Sequence, residues 1–284
     1  MAPQVLRTVE EVKAWVADLR RAGRRLALVP TMGYLHEGHL SLMREGRKRA
    51  DVVATSIFVN PTQFGPKEDL SRYPRDFEGD LARCASVGVD AVFAPEPGAM
   101  YPPGYQTYVE VTEVSQGLCG DRRPGHFRGV ATIVTQLLAL FRPDVSLFGE
   151  KDYQQLQVIK ALNRDLHLGA EIIGMPTVRE PDGLAMSSRN AYLTPEERKR
   201  ALAISRGLGA AQALYRSGTA EASALIEVVR RELRAADLRE DYVELVDAER
   251  LKPLSTVQRG QPARLLVAAF CGTTRLIDNQ PIGG

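Results

Sequence analysis

Over the first two thirds of the chain, short apolar runs of strand length alternate with stretches in which apolar residues recur at helical spacing. The runs are Leu26-Val29, Val52-Val59, Ala91-Ala94, Val145-Phe148 and Glu171-Gly174. Between them, Val130, Ile133, Val134, Leu137, Leu138 and Phe141 lie on one helical face, as do Leu156, Ile159, Leu162 and Leu166. Such faces pack on a sheet. Strand alternating with helix predicts right-handed β-α-β units and a parallel sheet.

In a sheet of this kind ligands bind beyond the carboxyl ends of the strands, near the point where strand order reverses. Four segments follow predicted strands directly: Pro30 to His39, Asn60 to Gly65, Gly149 to Gln155, and Met175 to Val178. All four are expected on one rim. After about residue 176 the pattern changes. Pro181-Asp182-Gly183 makes a turn, charged helical sequence runs from Pro195 to about Ala236, and strand-like pieces follow at Tyr242-Val246 and Leu265-Phe270. The expected architecture is α/β: a Rossmann-like parallel-sheet domain over residues 1–176, and a second, smaller α+β domain over residues 177–284 joined by a hinge-like segment.

Composition narrows the class without naming a chemistry. The 284 residues are 44% hydrophobic and 25% charged, as in an ordinary globular protein. Lys+Arg 37 against Asp+Glu 35 gives a net charge of +2, which offers no global field for nucleic acid. Cys84, Cys119 and Cys271 are odd in number and far apart, which argues against a disulfide framework or zinc ribbon and for thiols in a reducing cytoplasm. No stretch approaches the ~18 apolar residues of a spanning helix, and the N-terminus has no signal-like core, so neither membrane nor secretion is expected.

The first candidate chemistry is His36-Glu37-Gly38-His39, which comes after the run Leu26-Val29 and the turn Pro30-Thr31-Met32-Gly33. A strand-to-helix junction exposes unpaired N–H groups and the positive end of a helix dipole, and both favour a polyphosphate. Metal ligation is the rival reading. A zincin motif, H-E-x-x-H, has its histidines four apart, whereas these are three apart with no third His or Cys nearby. Simple helix capping is another.

Gly149-Glu150-Lys151-Asp152 follows a second strand, where a lysine reaches phosphate oxygens and Asp152 is placed for a ribose hydroxyl or a metal-bound water. The same residues also make an ordinary solvated helix start. Ala185-Met186-Ser187-Ser188-Arg189-Asn190 brings two hydroxyls and a guanidinium together just past the turn, as phosphate donors or as a plain helix cap.

Taken together these pieces resemble the H-x-G-H and K-M-S-K-S pair of the nucleotidyltransferase superfamily. Longer stretches carry the resemblance further: Pro30 to His39, Phe58 to Phe64, Arg123 to Val130, Phe148 to Leu156 and Met186 to Asn190 look like the pantothenate synthetase family, the pantoate–β-alanine ligases. These matches run in order from about residue 24 to 194. The resemblance implies an enzyme that joins (R)-pantoate to β-alanine with ATP, releasing AMP and pyrophosphate by way of a pantoyl adenylate. It implies an ATP site of Met32, Gly33, Tyr34, Leu35, His36, Glu37, Gly38, His39, Gly149, Glu150, Lys151, Asp152, Val178, Met186, Ser187, Ser188 and Arg189. His39, His36 and Lys151 are its catalytic candidates, with His39 matching the usual proton donor.

Gln63 and Gln155 are assigned to pantoate by the same resemblance, with Gln63 also reaching β-alanine. Amides orient a hydroxy acid without adding charge beside its carboxylate. Both are expected on loops facing one another across the strand ends, while Asn60, Tyr73 and His126 are weaker candidates. Mg2+ is an expected cofactor with ATP as co-substrate, a homodimer the expected assembly, and the metal ligands stay open. A reactive mixed anhydride needs water excluded, and a cover from Gln63 to Tyr73 with closure of the second domain is the expected means.

Three other readings remain. A related adenylyltransferase passing AMP to a phosphorylated acceptor would need basic residues where Gln63 and Gln155 stand. A metal-dependent hydrolase would use His36 and His39 as ligands, and a non-catalytic nucleotide-binding module would keep the phosphate cradle without turnover. A tRNA synthetase is disfavoured, since the smaller domain shows no basic, aromatic-interleaved face.

Overall fold

The computed structural model describes residues 2–66 and 68–283. It divides into two compact units, Met1–Glu150 with Gln155–Pro176, and Lys151–Gln154 with Thr177–Gly284.

The first unit is built on six parallel strands: β1 (Gln4–Leu6), β2 (Leu26–Thr31), β3 (Val52–Ile57), β4 (Ala91–Phe93), β5 (Val145–Gly149) and β6 (Glu171–Met175). Their spatial order is β1-β4-β3-β2-β5-β6. Moving out from β2, the chain steps through β3 and β4 on one side and through β5 and β6 on the other, so the order reverses between β2 and β5. The helices of this unit are α1 (Val9–Arg21), α2 (Glu37–Arg49), α3 (Phe77–Ser86), the short α4 (Pro97–Met100) and α5 (Leu118–Arg122), and α6 (His126–Phe141), while α7 (Tyr153–Asp165) begins in the second unit.

A proline opens the reversal point. β2 pairs with β3 along its whole length, from Leu26↔Val52 to Thr31↔Ile57, but with β5 only at Ala27↔Val145 and Leu28↔Ser146. The Thr31 carbonyl accepts from Phe58 N, so the neighbouring Pro30 turns its nitrogen to the β5 side. Proline has no hydrogen to donate there. The β2–β5 ladder therefore stops after Leu28, while β5 continues to pair with β6 as far as Gly149↔Met175. The carboxyl ends of β2 and β5 part at the reversal point, the place where open α/β sheets in general bind ligands.

The second unit has two helices, α8 (Pro195–Arg216) and α9 (Ala222–Ala235), and an antiparallel sheet of β7 (Arg239–Asp247), β8 (Ala263–Cys271) and β9 (Thr274–Ile282) in that order. Leu265, Val267, Ala269 and Cys271 alternate onto one face of β8 and pack with Leu208 of α8 and Leu225, Val229 and Leu233 of α9. Thr194 starts α8 through a capping box with Glu197, and Pro195 occupies the first turn.

The structure departs from the sequence reading in several elements. β3 ends at Ile57, two residues before Val59. The helical stretch from Pro195 to Ala236 is two helices, parted at Gly218, whose φ of 112° no side-chain-bearing residue adopts comfortably. β1 is a three-residue edge strand, too short to show a pattern. The second unit has a third strand, β9, hidden because Asp278, Asn279 and Pro281 interrupt its apolar alternation. No described helix is long and apolar enough to cross a membrane, and Cys84, Cys119 and Cys271 are buried and outside any disulfide.

Candidate active site

Two histidines hold the start of α2. His36 is its N-cap, with extended backbone, and its Nδ1 accepts from Gly38 N at 3.2 Å; His39 Nδ1 accepts from His36 N, also at 3.2 Å. The rings lie 4.1 Å apart, tilted by 41°. Capping is one of the alternative readings of this motif, and the structure shows it, with a chemical consequence. A ring nitrogen that accepts from a backbone N–H carries no proton, so each neutral imidazole keeps its proton on Nε2 and presents a donor on the side away from the helix. Capping and donation to an anion are compatible in one geometry.

The turn before α2 is set by a residue outside every motif. Gly33 has φ 82° and Tyr34 φ 50°, both left-handed. Asp80 of α3, 1% exposed, accepts from Tyr34 N at 2.8 Å and Leu35 N at 2.7 Å. Burial pushes the Asp80 carboxyl above its ordinary range, against the pull of these two donors. A Cβ on Gly33 would lie 3.0 Å from Asp80 Oδ2. Asp80→Asn exchanges one acceptor for an NH2 donor beside a buried N–H. It is expected to cost about 1–3 kcal/mol of stability, read by denaturant unfolding; an unchanged midpoint would show that the turn holds itself.

Glu37, exposed in the first turn of α2, is paired with Arg44, whose hydrogen bonds hold its carboxyl below the usual range. It is thus an occupied anion rather than a base. Among the described residues, no group of three or more His, Cys, Asp or Glu could hold a metal ion.

Gln63 closes a 3-10 turn, Pro61–Gln63, after β3. It is 8% exposed, unlike the surface glutamine its type suggests. Asn60 Oδ1 accepts from Thr62 N and Asn60 Nδ2 donates to the Gly129 carbonyl at 3.1 Å, so Nδ2 is also the donor to Gln63 Oε1 at 3.1 Å. That leaves Nε2 as the donating end of Gln63, 3.2 Å from Met32 Sδ. His126 Nδ1 lies 2.9 Å from the Gln63 carbonyl, and a Cβ on Gly129 would sit 2.6 Å from Gln63 N. The Arg123 to Val130 stretch thus acts on Gln63 through its backbone. Asn60 orients Gln63, and Tyr73 is core, 5.9 Å from the Phe64 ring.

The expected cover from Gln63 to Tyr73 is tied down by Glu68, which receives Arg123 at 2.6 Å. Burial raises the Glu68 carboxyl, but the Arg123 hydrogen bond and charge bring it below its ordinary value. Lys67 of this stretch lies outside the described residues. Gln155, expected on a loop, is instead half-buried in the first turn of α7.

Gly149 ends β5, and Glu150–Asp152 forms a 3-10 turn. Lys151 begins the short stretch that belongs to the second unit; its Nζ is 3.7 Å from Asp152 Oδ2. In that unit Met186 N donates to the Val178 carbonyl at 3.0 Å. Ser187 caps the 3-10 turn Ser188–Tyr192 by accepting from Arg189 N at 3.3 Å, and Ser188 is buried. The structure therefore gathers Met32 to His39, Gln63, Gly149, Glu150 and Gln155 on the first unit, and Lys151, Asp152, Val178 and Met186 to Arg189 on the second.

Comparison with known proteins places this geometry. The family described as pantoate-beta-alanine ligase matches residues 4–281. A pantothenate synthetase of Myxococcus xanthus is 79% identical, covering 100% of this chain and 98% of its own. Among solved structures, a pantothenate synthetase from Thermus thermophilus superposes with a TM-score of 0.93 at 44% identity, covering 99% of this chain and 100% of its own. The pantoate-beta-alanine ligase from Francisella tularensis, solved with beta-gamma ATP and beta-alanine, gives 0.83 at 32% identity over 98% and 97%.

Proposed function

The chain belongs to the pantoate–β-alanine ligase family, and from that premise we infer that it joins pantoate to β-alanine in two steps through a pantoyl adenylate. A pantoate carboxylate oxygen attacks the α-phosphorus of ATP, the bond to the bridging oxygen breaks, and pyrophosphate leaves. The amine of β-alanine then attacks the acyl carbon, losing a proton as the C–O bond to AMP breaks.

The observation that carries this reading is the pair of Nδ1-capped histidines at the parted ends of β2 and β5. Charge builds on the phosphates as pyrophosphate departs, and fixed donors that need no rearrangement stabilise it best. His36 and His39, each with its proton on Nε2, are such donors, backed by the N–H groups opening α2. On the second unit, Lys151, Ser187, Ser188 and Arg189 carry a cation, two hydroxyls and a guanidinium, all of them groups that suit phosphate oxygens. Met32 to Leu35, Gly149, Glu150, Asp152, Val178 and Met186 complete the proposed ATP site. Mg2+ bound with ATP would be held by one or two carboxylates such as Asp152, and would supply charge neutralisation at the phosphates. Assembly as a homodimer in the cytoplasm belongs to the same reading.

ATP–pyrophosphate exchange tests it: exchange should require pantoate and Mg2+, but neither β-alanine nor RNA. Exchange without pantoate, or formation of ADP, would sink the proposal.

Gln63 and Gln155 orient pantoate, and the Nε2 amide of Gln63 suits a carboxylate or hydroxyl oxygen. Gln63→Ala is expected to raise KM for pantoate and β-alanine by about 10-fold or more, the scale of a lost hydrogen bond to a charged group. Steady-state kinetics with each substrate varied would check this; an equal rise for ATP would contradict the assignment.

A further inference from the structure

Asp278 and Asn279 are neighbours in β9, an edge strand of the three-stranded sheet, and are 4% and 3% exposed. Consecutive strand residues point to opposite faces, so the pair serves both. On one face Asn279 Nδ2 donates to the Lys151 carbonyl at 3.0 Å, while its Oδ1 accepts from Arg264 Nε at 2.6 Å. Arginine only donates, so the amide cannot turn over, and the N–H side must face Lys151. Arg264 lies 4.1 Å above the Tyr153 ring, and Tyr153 donates its hydroxyl to the Ala248 carbonyl at 2.9 Å. Lys151 and Tyr153 are thereby fastened to the sheet by a buried polar chain.

Asp278 fastens a different segment. It receives Arg179 in a two-point pair of 2.6 and 3.0 Å, and Arg179 also donates to the Gly183 carbonyl at 3.1 Å. Arg179 bridges Ala185, and Met186 N donates to Val178 O, so this hairpin leads straight into Ser187-Ser188-Arg189.

We propose that Asn279 and Asp278 are positioning residues which mount the Lys151 segment and the Ser187–Arg189 loop on one strand and fix the spacing between them. The proposal rests on the reading of Lys151 and Arg189 as phosphate donors. Two adjacent residues on a hydrogen-bonded strand cannot drift apart, so a lysine and a guanidinium carried by distant parts of the chain share one rigid support. Neither anchor touches substrate; each acts through the residue it holds.

A double-mutant cycle tests this in the full chain, using ATP–pyrophosphate exchange. Asn279→Asp keeps the size and the bond from Arg264 but sets a carboxylate oxygen against the Lys151 carbonyl. It is expected to lower exchange about 10-fold and raise KM for ATP, with KM for pantoate within about twofold of the parent. In a Lys151→Ala background the same change should cost less than about twofold, since the group it positions is gone. Asp278→Asn should behave likewise with and without Arg189→Ala. Asn279→Ala, which removes both bonds without adding charge, reads the same cycle if Asn279→Asp does not fold. Losses that multiply in full would overturn the positioning role, as would parental rates for the Asn279 and Asp278 variants beside a damaged Lys151→Ala. Parental exchange by Lys151→Ala and Arg189→Ala would overturn the donor reading itself, and the anchoring with it.

Discussion

Lys151→Ala is expected to slow ATP–pyrophosphate exchange by at least about 100-fold while leaving the fold intact. A factor of 100 is about 2.7 kcal/mol of transition-state stabilisation, within the range lost when one donor to a developing oxyanion is removed. The residue is well placed to contribute that much. Its backbone carbonyl is held by Asn279, its side chain is 18% exposed, and its nearest carboxylate, Asp152, sits 3.7 Å away, beyond a close ion pair. A partly buried ammonium meets phosphate with little competition from water. Truncation should spare stability because the Asn279 bond is to the main chain, which alanine keeps. Lys151→Arg should recover part of the rate, since it keeps the charge and alters its shape and reach. Rapid-quench measurement of adenylate formation checks both variants; a full adenylation rate in Lys151→Ala would remove the lysine from the chemistry.

For His39→Ala two separable losses are expected. Adenylate formation falls by at least about 100-fold through loss of the Nε2–H donor. The fold loses about 1 kcal/mol because His36 N no longer has its Nδ1 acceptor, as in other broken helix caps. Denaturant unfolding reads the second loss and single-turnover kinetics the first. His39→Asn offers an amide oxygen for the cap on a shorter side chain, so it should restore stability better than rate. If restoring the cap restored the rate as well, His39 would be a structural residue alone.

The outline of the fold was legible where local physics is strong. Apolar runs such as Leu26-Val29 and Val145-Phe148 can be nothing but buried strands when helical faces like Val130 to Phe141 stand between them. The junction at His36 was legible for the same reason, since a strand followed by a glycine-bearing turn and a helix start leaves few alternatives. Other features depend on partners distant in sequence. Asp80 reaches back 46 residues to Tyr34, and Lys151 and Asn279 are 128 residues apart; neither contact leaves a trace in periodicity. β9 looked unlike a strand because Asp278 and Asn279 spend buried positions on hydrogen bonds rather than on apolar packing. The proton placement on His36 and His39 was equally hidden, since a motif states which side chains are present and not which ring nitrogen faces the backbone.

Lys151–Gln154 carries a lesson about divisibility. These residues sit in the middle of the chain, between a strand and a helix that are mostly the first unit's, yet they are fastened to the last strand of the second. No single cut can separate the two units with their chemistry intact. A fragment ending near residue 176 would hold the lysine without its anchor, and the complementary fragment would hold the anchor with nothing to grip. Gene fusions, split-protein designs and truncation libraries that treat residue 176 as a seam would break an attachment that reading along the chain does not disclose.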